Sequence, residues 1–209
     1  MSLLVIMREK TISNTIISIL ILESIIVIFT LLSKFGKISL HEVNYLLPLT
    51  VTISGIAYLK LKKISLSSVG VTRKGWIRSM VYSLILVIIF LLYTMSRNNL
   101  RLGFREGNFI EFIVFGISLS LVIALGEELW MRGIIFHYLE KLKSEEFAFV
   151  ISSLIFGLSH FRHGLDAIIS GLIIGFSFGF VRLKTKNIVG LILSHTLYVF
   201  IYSYLLITK

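Results

Sequence analysis

Glu127, Glu128 and Arg132 sit together in one long apolar run of the sequence, and His160 and His195 sit in two later ones. Ionisable groups inside a bilayer are costly, so such groups are functional candidates by default. Glu128 and Arg132 are four residues apart, share a helix face and can pair. Glu127 is one residue earlier, about 100° around the helix from Glu128. The two carboxylates are therefore expected not to point at one partner. Glu128 reads as the structural half of an ion pair, and Glu127 is left free to act on water or substrate. A carboxylate in a low-dielectric site suits acid–base work. The plainer alternative is an intramembrane ion pair with a second glutamate in a wet crevice.

His160 ends the string Phe156-Gly-Leu-Ser-His160, and His195 lies in Ser194-His195-Thr-Leu-Tyr-Val199. A lone intramembrane histidine is more often a hydrogen-bonded packing residue, but two beside a glutamate pair change that balance. Glu127, His160 and His195 match a catalytic zinc set of two histidines and one glutamate. They match equally a metal-free site, in which Glu127 and His160 hold an attacking water and His195 donates to an oxyanion. Both are hydrolysis in a membrane cavity, and spacing does not separate them. Other hydrolytic schemes fit less well. His41-Glu42 is followed by Val-Asn-Tyr, so the H-E-x-x-H zinc motif is absent, and Asp166 is the only aspartate. A serine dyad of Ser159 with His195 leaves Glu127 and Glu128 without work. No phosphate-binding Walker pattern occurs. Glu23 has no partner visible in the sequence and is read as facing a cavity or pairing inside the bundle. His137, Glu111, His163 and Asp166 fall near span ends, where solvation is the expected state.

The elements that must position these groups follow from composition. The 209 residues are 56% hydrophobic and 15% charged, with no cysteine and a net charge of +10. Soluble domains run roughly 45–50% apolar and about 25% charged. Disulfides, cysteine nucleophiles and cysteine-based zinc sites are excluded. The chain reads as a single membrane domain, 1–209: an all-α, polytopic transmembrane helical bundle of about seven spans, with an eighth interfacial or re-entrant helix left open. The spans are expected at 11–33, 43–60, 77–96, 109–140, 146–161, 165–182 and 187–208. Strands are not expected, because the apolar runs are continuous instead of alternating.

The Lys and Arg residues cluster between these runs, which argues for membrane loops and against nucleic acid. With the N-terminus in the cytoplasm, thirteen fall on the inner side: Arg8, Lys10, the six of segment 60–78, Lys141, Lys143, Arg182, Lys184 and Lys186. Seven fall outside: Lys34, Lys37, Arg97, Arg101, Arg105, Arg162 and Lys209. The positive-inside rule favours this orientation in a multi-pass cell-membrane protein. No cleavage site follows the first run, so it reads as a retained span and not a signal peptide. Counted from the cytoplasmic ends of their spans, Glu127 and His160 each lie about 20 Å up and His195 about 10 Å up. Gly171, Gly175 and Gly179 form a smooth stripe for close helix approach.

Glu127-Glu128-x-x-x-Arg132, Phe156-x-x-x-His160 and the late His195 together resemble the CAAX-processing and bacteriocin-processing intramembrane proteases, the Rce1-like and Abi proteins. The resemblance covers residues 109–205, read as the catalytic core. It implies an all-helical membrane protease in which Glu127 and His160 activate water and His195 stabilises the oxyanion. Glu128 and Arg132 would support the site. It leaves zinc open, with Glu127, His160 and His195 as ligands if the enzyme is a metalloendopeptidase. One departure stands out: the family often carries Asn four residues after the last histidine, and here that residue is Val199. Tyr198, Thr196 and Ser194 are the nearby donors. The implied partner is a membrane-associated or C-terminal peptide, prenylated or not. Two other readings compete: a non-catalytic peptide-binding or immunity protein on the same scaffold, and a proton-coupled transporter using Glu23, Glu127 and Glu128.

Overall fold

The computed structural model describes residues 3–97, 100–103 and 109–208. Arg105 and Lys209, and the side chains of Arg8 and Glu111, lie outside the described part. Every one of the seven apolar runs is helical, and the fold is all-α. The helices are α1 (Leu3–Lys34), α2 (Leu40–Leu61), α3 (Trp76–Arg97), α4 (Phe109–Glu128), α5 (Phe136–Leu142), α6 (Glu145–Leu158), α7 (Leu165–Thr185) and α8 (Val189–Phe200). A π-helical segment, Leu129–Ile135, joins α4 to α5, and a second, Ile201–Leu205, extends α8. Four stretches are long and apolar enough to cross a membrane: Glu9–Lys34, Trp76–Arg97, Ile113–Leu142 and Leu165–Thr185. α6 has only 14 residues, and Val189–Leu205 is also short.

One expectation fails at the edges. Leu100–Leu102 and Leu206–Thr208 pair as a two-stranded antiparallel ribbon, with Leu100 opposite Thr208. Three-residue strands are too short to leave an alternation in the sequence. They also end the last helix at Leu205 instead of 208.

Local chemistry explains the boundaries. Ser39 starts α2 with a reciprocal capping box: its Oγ accepts from Glu42 N at 3.1 Å, and its own N–H donates to Glu42 Oε2 at 2.7 Å. Ser144 caps α6 by accepting from Phe147 N at 3.2 Å. Asn187 starts α8 from inside the protein. Its Oδ1 accepts from Val189 N and Gly190 N, while its Nδ2 donates to the carbonyls of Thr72 and Lys74. The glycine stripe of α7 meets α6: a methyl group at Gly175 would lie 2.8 Å from the Ser153 carbonyl oxygen, and one at Gly179 2.6 Å from Ser153 Oγ. Gly190 seats α8 on the backbone of α3 in the same way, where a methyl group would run into Met80 N.

With α4, the π segment and α5 forming one continuous run, the bundle has two poles. At one pole the end of α1, the start of α2 and the turn after α6 converge, where Lys34, Asn44 and Arg162 line a common recess. At the other, the segment after α2 meets the start of α3 and the end of α7, where Arg73, Lys74, Arg78 and Lys186 line another.

Candidate active site

The widened turn after Glu128 organises the site. All seven residues of the π segment are buried. π-helical turns leave carbonyls without their usual partners and recur at functional sites. Here the Arg132 carbonyl accepts from Arg182 Nε at 3.1 Å. Arg182 is buried too, with its guanidinium 5.0 Å from the centre of the Phe136 ring. In the sequence Arg182 stands among the basic flanks. Its role as a tie across the bundle leaves no motif behind.

The pair expected from spacing forms. Arg132 Nη1 lies 3.3 Å from Glu128 Oε1, and both side chains are fully buried. Arg132 also donates to the Gly175 carbonyl at 3.2 Å, and its guanidinium lies over the Phe156 ring at 4.2 Å. The bare Gly175 lets α7 present that carbonyl to the guanidinium.

The expectation that the two carboxylates serve separate partners is overturned. Glu128 Oε1 is 2.8 Å from His195 Nδ1, and Glu127 Oε2 is 3.7 Å from His195 Nε2. Both face one imidazole, from its two nitrogens. A ring with nitrogens on separate edges spans an angular gap that a point-like partner cannot. A carboxylate accepts only, so Nδ1 carries the proton in the bond to Glu128. The Phe178 ring, edge-on at 5.4 Å, packs against the imidazole. The expected depth of His195 also fails. The His195 imidazole meets Glu127 and Glu128, so it stands level with them and not about 10 Å lower.

His160 is not inside a helix. α6 ends at Leu158, and His160 occupies the turn that follows, with φ −85° and ψ 7°. Its Nδ1 lies 2.8 Å from the Phe156 carbonyl. That carbonyl only accepts, so Nδ1 carries the hydrogen and Nε2 keeps a lone pair in the neutral ring. Glu127 and His160 line the same cavity of about 510 Å³. Its walls are largely apolar, including Leu22, Ile26, Leu47, Ile123 and Trp130. Glu127 keeps a third of its side-chain surface exposed there, whereas Glu128 has none. Trp130 is fixed through Nε1, which donates to the Val51 carbonyl at 2.9 Å.

The remaining polar residues sort differently from expectation in one case. His137 is buried, not solvated, with Nδ1 3.2 Å from the Ser68 carbonyl. The preceding π turn rotates α5 so that this face meets the 67–69 turn. Asp166 and His163 are exposed. Partial burial, then the charge of Arg162, holds the His163 imidazole below its ordinary pKa, and Arg162 Nε donates to its Nε2 at 2.8 Å. Glu23 is half-buried and is not among the residues lining the cavity; α1 contributes Leu22 and Ile26 instead. Near Val199, the Ser194 hydroxyl is engaged with Ser83 Oγ at 2.8 Å, and Thr196 donates back to the Ile192 carbonyl at 2.7 Å. Tyr198 lies with its ring 6.3 Å from that of His195 and stacks on Tyr202.

Zinc needs donor atoms about 2.0–2.2 Å from a common point. Glu127 and His195 offer two donors across 3.7 Å. Among the described residues, no three His, Cys, Asp or Glu side chains come together as a group able to hold a metal ion. As arranged, the residues do not close around zinc.

Residues 109–201 match the family model described as Type II CAAX prenyl endopeptidase Rce1-like. The matched segment is somewhat less than half of the chain and contains Glu127, Glu128, Arg132, His160 and His195. The Rce1-like resemblance read from the motifs is thus borne out over that segment. No curated protein and no solved structure matches the chain.

Proposed function

We propose that this chain, through its Rce1-like segment, is an intramembrane endopeptidase with a glutamate- and histidine-activated water. The observation that carries the reading is the shared cavity: Glu127 and His160 line it, and His195 stands against Glu127. In this reading residues 1–209 form one membrane domain of seven spans with its basic pole in the cytoplasm, and 109–205 hold the catalytic core.

The chemistry follows from the acceptors present. The Glu127 carboxylate takes a proton from water, and His160 Nε2 accepts the second water hydrogen and fixes the oxygen. The oxygen adds to the scissile carbonyl, and the developing oxyanion is met by His195 Nε2–H when the ring carries both protons. Glu128 accepts from Nδ1–H and holds the ring, and Arg132 holds Glu128. Glu127 then returns its proton to the leaving amine as the C–N bond breaks. The apolar walls match a membrane-associated or C-terminal peptide.

A cleavage screen tests this. Purified protein in nanodiscs meets a mixed peptide library that includes farnesylated C-terminal sequences, with Glu127→Ala in parallel and mass spectrometry as the readout. Products from wild type alone are expected. Identical products from both proteins would refute the reading. Because no step uses a metal, cleavage is expected to persist in a zinc chelator such as 1,10-phenanthroline; loss that added zinc restores would move the reading to a metalloendopeptidase.

Val199 favours one second reading, a peptide-binding protein without catalysis, since valine cannot donate to an oxyanion. An oxyanion donor is worth about 10²–10³ in rate. Val199→Asn is therefore expected to preserve or raise the cleavage rate. A sharp loss would show that position 199 does not face the reacting carbonyl.

A further inference from the structure

The cavity and most of the basic residues occupy opposite poles of the bundle. The cavity is lined by the start of α2 (Asn44, Tyr45), the turn after α6 (His160, Arg162) and the stretch after α8 (Tyr202, Ser203). All of these belong to the pole where α1 ends. Eleven basic residues with described side chains flank the other pole: Lys10, six in segment 60–78, Lys141, Lys143, Lys184 and Lys186, against Lys34, Lys37, Arg97, Arg101 and Arg162 at the cavity's pole. A bias of this kind marks the cytoplasmic side.

The short α6 bears on where the cavity lies. Its 14 residues rise about 21 Å, less than the ~30 Å hydrocarbon core. It begins at the basic pole, where Lys186 pairs with Glu145, and stops at the level of His160. Beyond that stop the 159–163 turn, and not a continued helix, lines the cavity. Below it, the floor is closed by the fully buried Trp130 and the nearly fully buried Met131 and Phe156.

We infer that the cavity is loaded from the extracytoplasmic side, by an apolar peptide segment of a secreted or outer-surface chain. This rests on the endopeptidase reading and narrows its substrate to chains that have crossed, or face away from, the cytoplasm. The mouth adds a charge preference. Lys34 and Arg162 line the recess beside it, and Arg162 lines the cavity itself. Glu127 is the only acidic residue among the cavity-lining residues described. An acidic group flanking the apolar segment fits that mouth.

The absence of native cysteine makes the test direct. Ser203→Cys marks the mouth, Ser159→Cys the wall beside His160, and Ser67→Cys the basic pole. Sealed right-side-out spheroplasts are treated with a membrane-impermeant maleimide. Labelling of Ser203→Cys and Ser159→Cys in sealed spheroplasts is expected, with Ser67→Cys labelled only after permeabilisation. The reverse pattern overturns the inference. Labelling of all three in detergent checks that each thiol is reactive in the folded protein, and the two cavity variants serve as independent reporters. The wild-type cleavage screen separates the claims. An outward-open cavity in a wild-type protein that yields no cleavage products would remove the endopeptidase reading and leave the access route standing.

Discussion

Glu127→Gln is expected to lower the cleavage rate by about 10²–10⁴-fold, the usual contribution of a positioned general base. The argument starts from what the substitution preserves. Gln has the same shape and still accepts a hydrogen bond, but it cannot take a proton from water. Glu127 is a third exposed, and His195 Nε2 is 3.7 Å away. Little packing is therefore lost, and folding is expected to survive. The fall should appear in kcat with KM little changed, because an interaction made only in the transition state is removed. His160→Gln should act on the same step, since it removes the lone pair facing the water. A Glu127→Gln enzyme with wild-type kcat would remove Glu127 from the chemistry and leave it as a second anchor of His195.

Much of this arrangement is legible in residues and spacing. Seven apolar runs become seven helical segments because continuous hydrophobicity is a long-range signal that survives errors at the ends. The Glu128–Arg132 pair is legible because both residues lie on one helix, where four-residue spacing fixes their proximity. The Gly171, Gly175 and Gly179 stripe announces a close neighbour, and α6 is that neighbour. What fails depends on contacts between elements. Nothing within residues 127–132 tells that a histidine 67 residues later will fit between two carboxylates. The height of His195 is misjudged because its level is set by contact with Glu127 and Glu128 on another helix, which counting along α8 cannot show. His160 reads as helical because Phe156-Gly-Leu-Ser-His160 is apolar enough to continue a helix; the chain instead turns after Leu158. The π segment has no sequence marker, and with it go the roles of Arg182 and His137. Arg182 satisfies a carbonyl that an ordinary α-helical turn would have kept for itself.

The buried Glu128–Arg132–His195 network is expected to decide stability. Arg132→Met is expected to destabilise the protein by about 3–5 kcal/mol, the cost of leaving a buried charge without its partner. Glu128 would keep only the His195 Nδ1–H, and its Oε2 already has no hydrogen-bond partner among the described residues. Arg132 also packs on Phe156 at 4.2 Å, and a methionine thioether replaces part of that contact. The packing loss is therefore the smaller part. Adding Glu128→Gln to the same chain separates charge from shape. The side-chain amide would still accept from His195, and no buried carboxylate would remain, so the double variant should be more stable than Arg132→Met alone. Replacing a buried ion pair by neutral groups is often close to neutral in stability. Unfolding of the purified variants in mixed micelles, followed by circular dichroism, gives the comparison. If Arg132→Met unfolds like wild type, the pair carries no structural charge burden. If the double variant is worse than the single, Glu128 holds His195 by its negative charge.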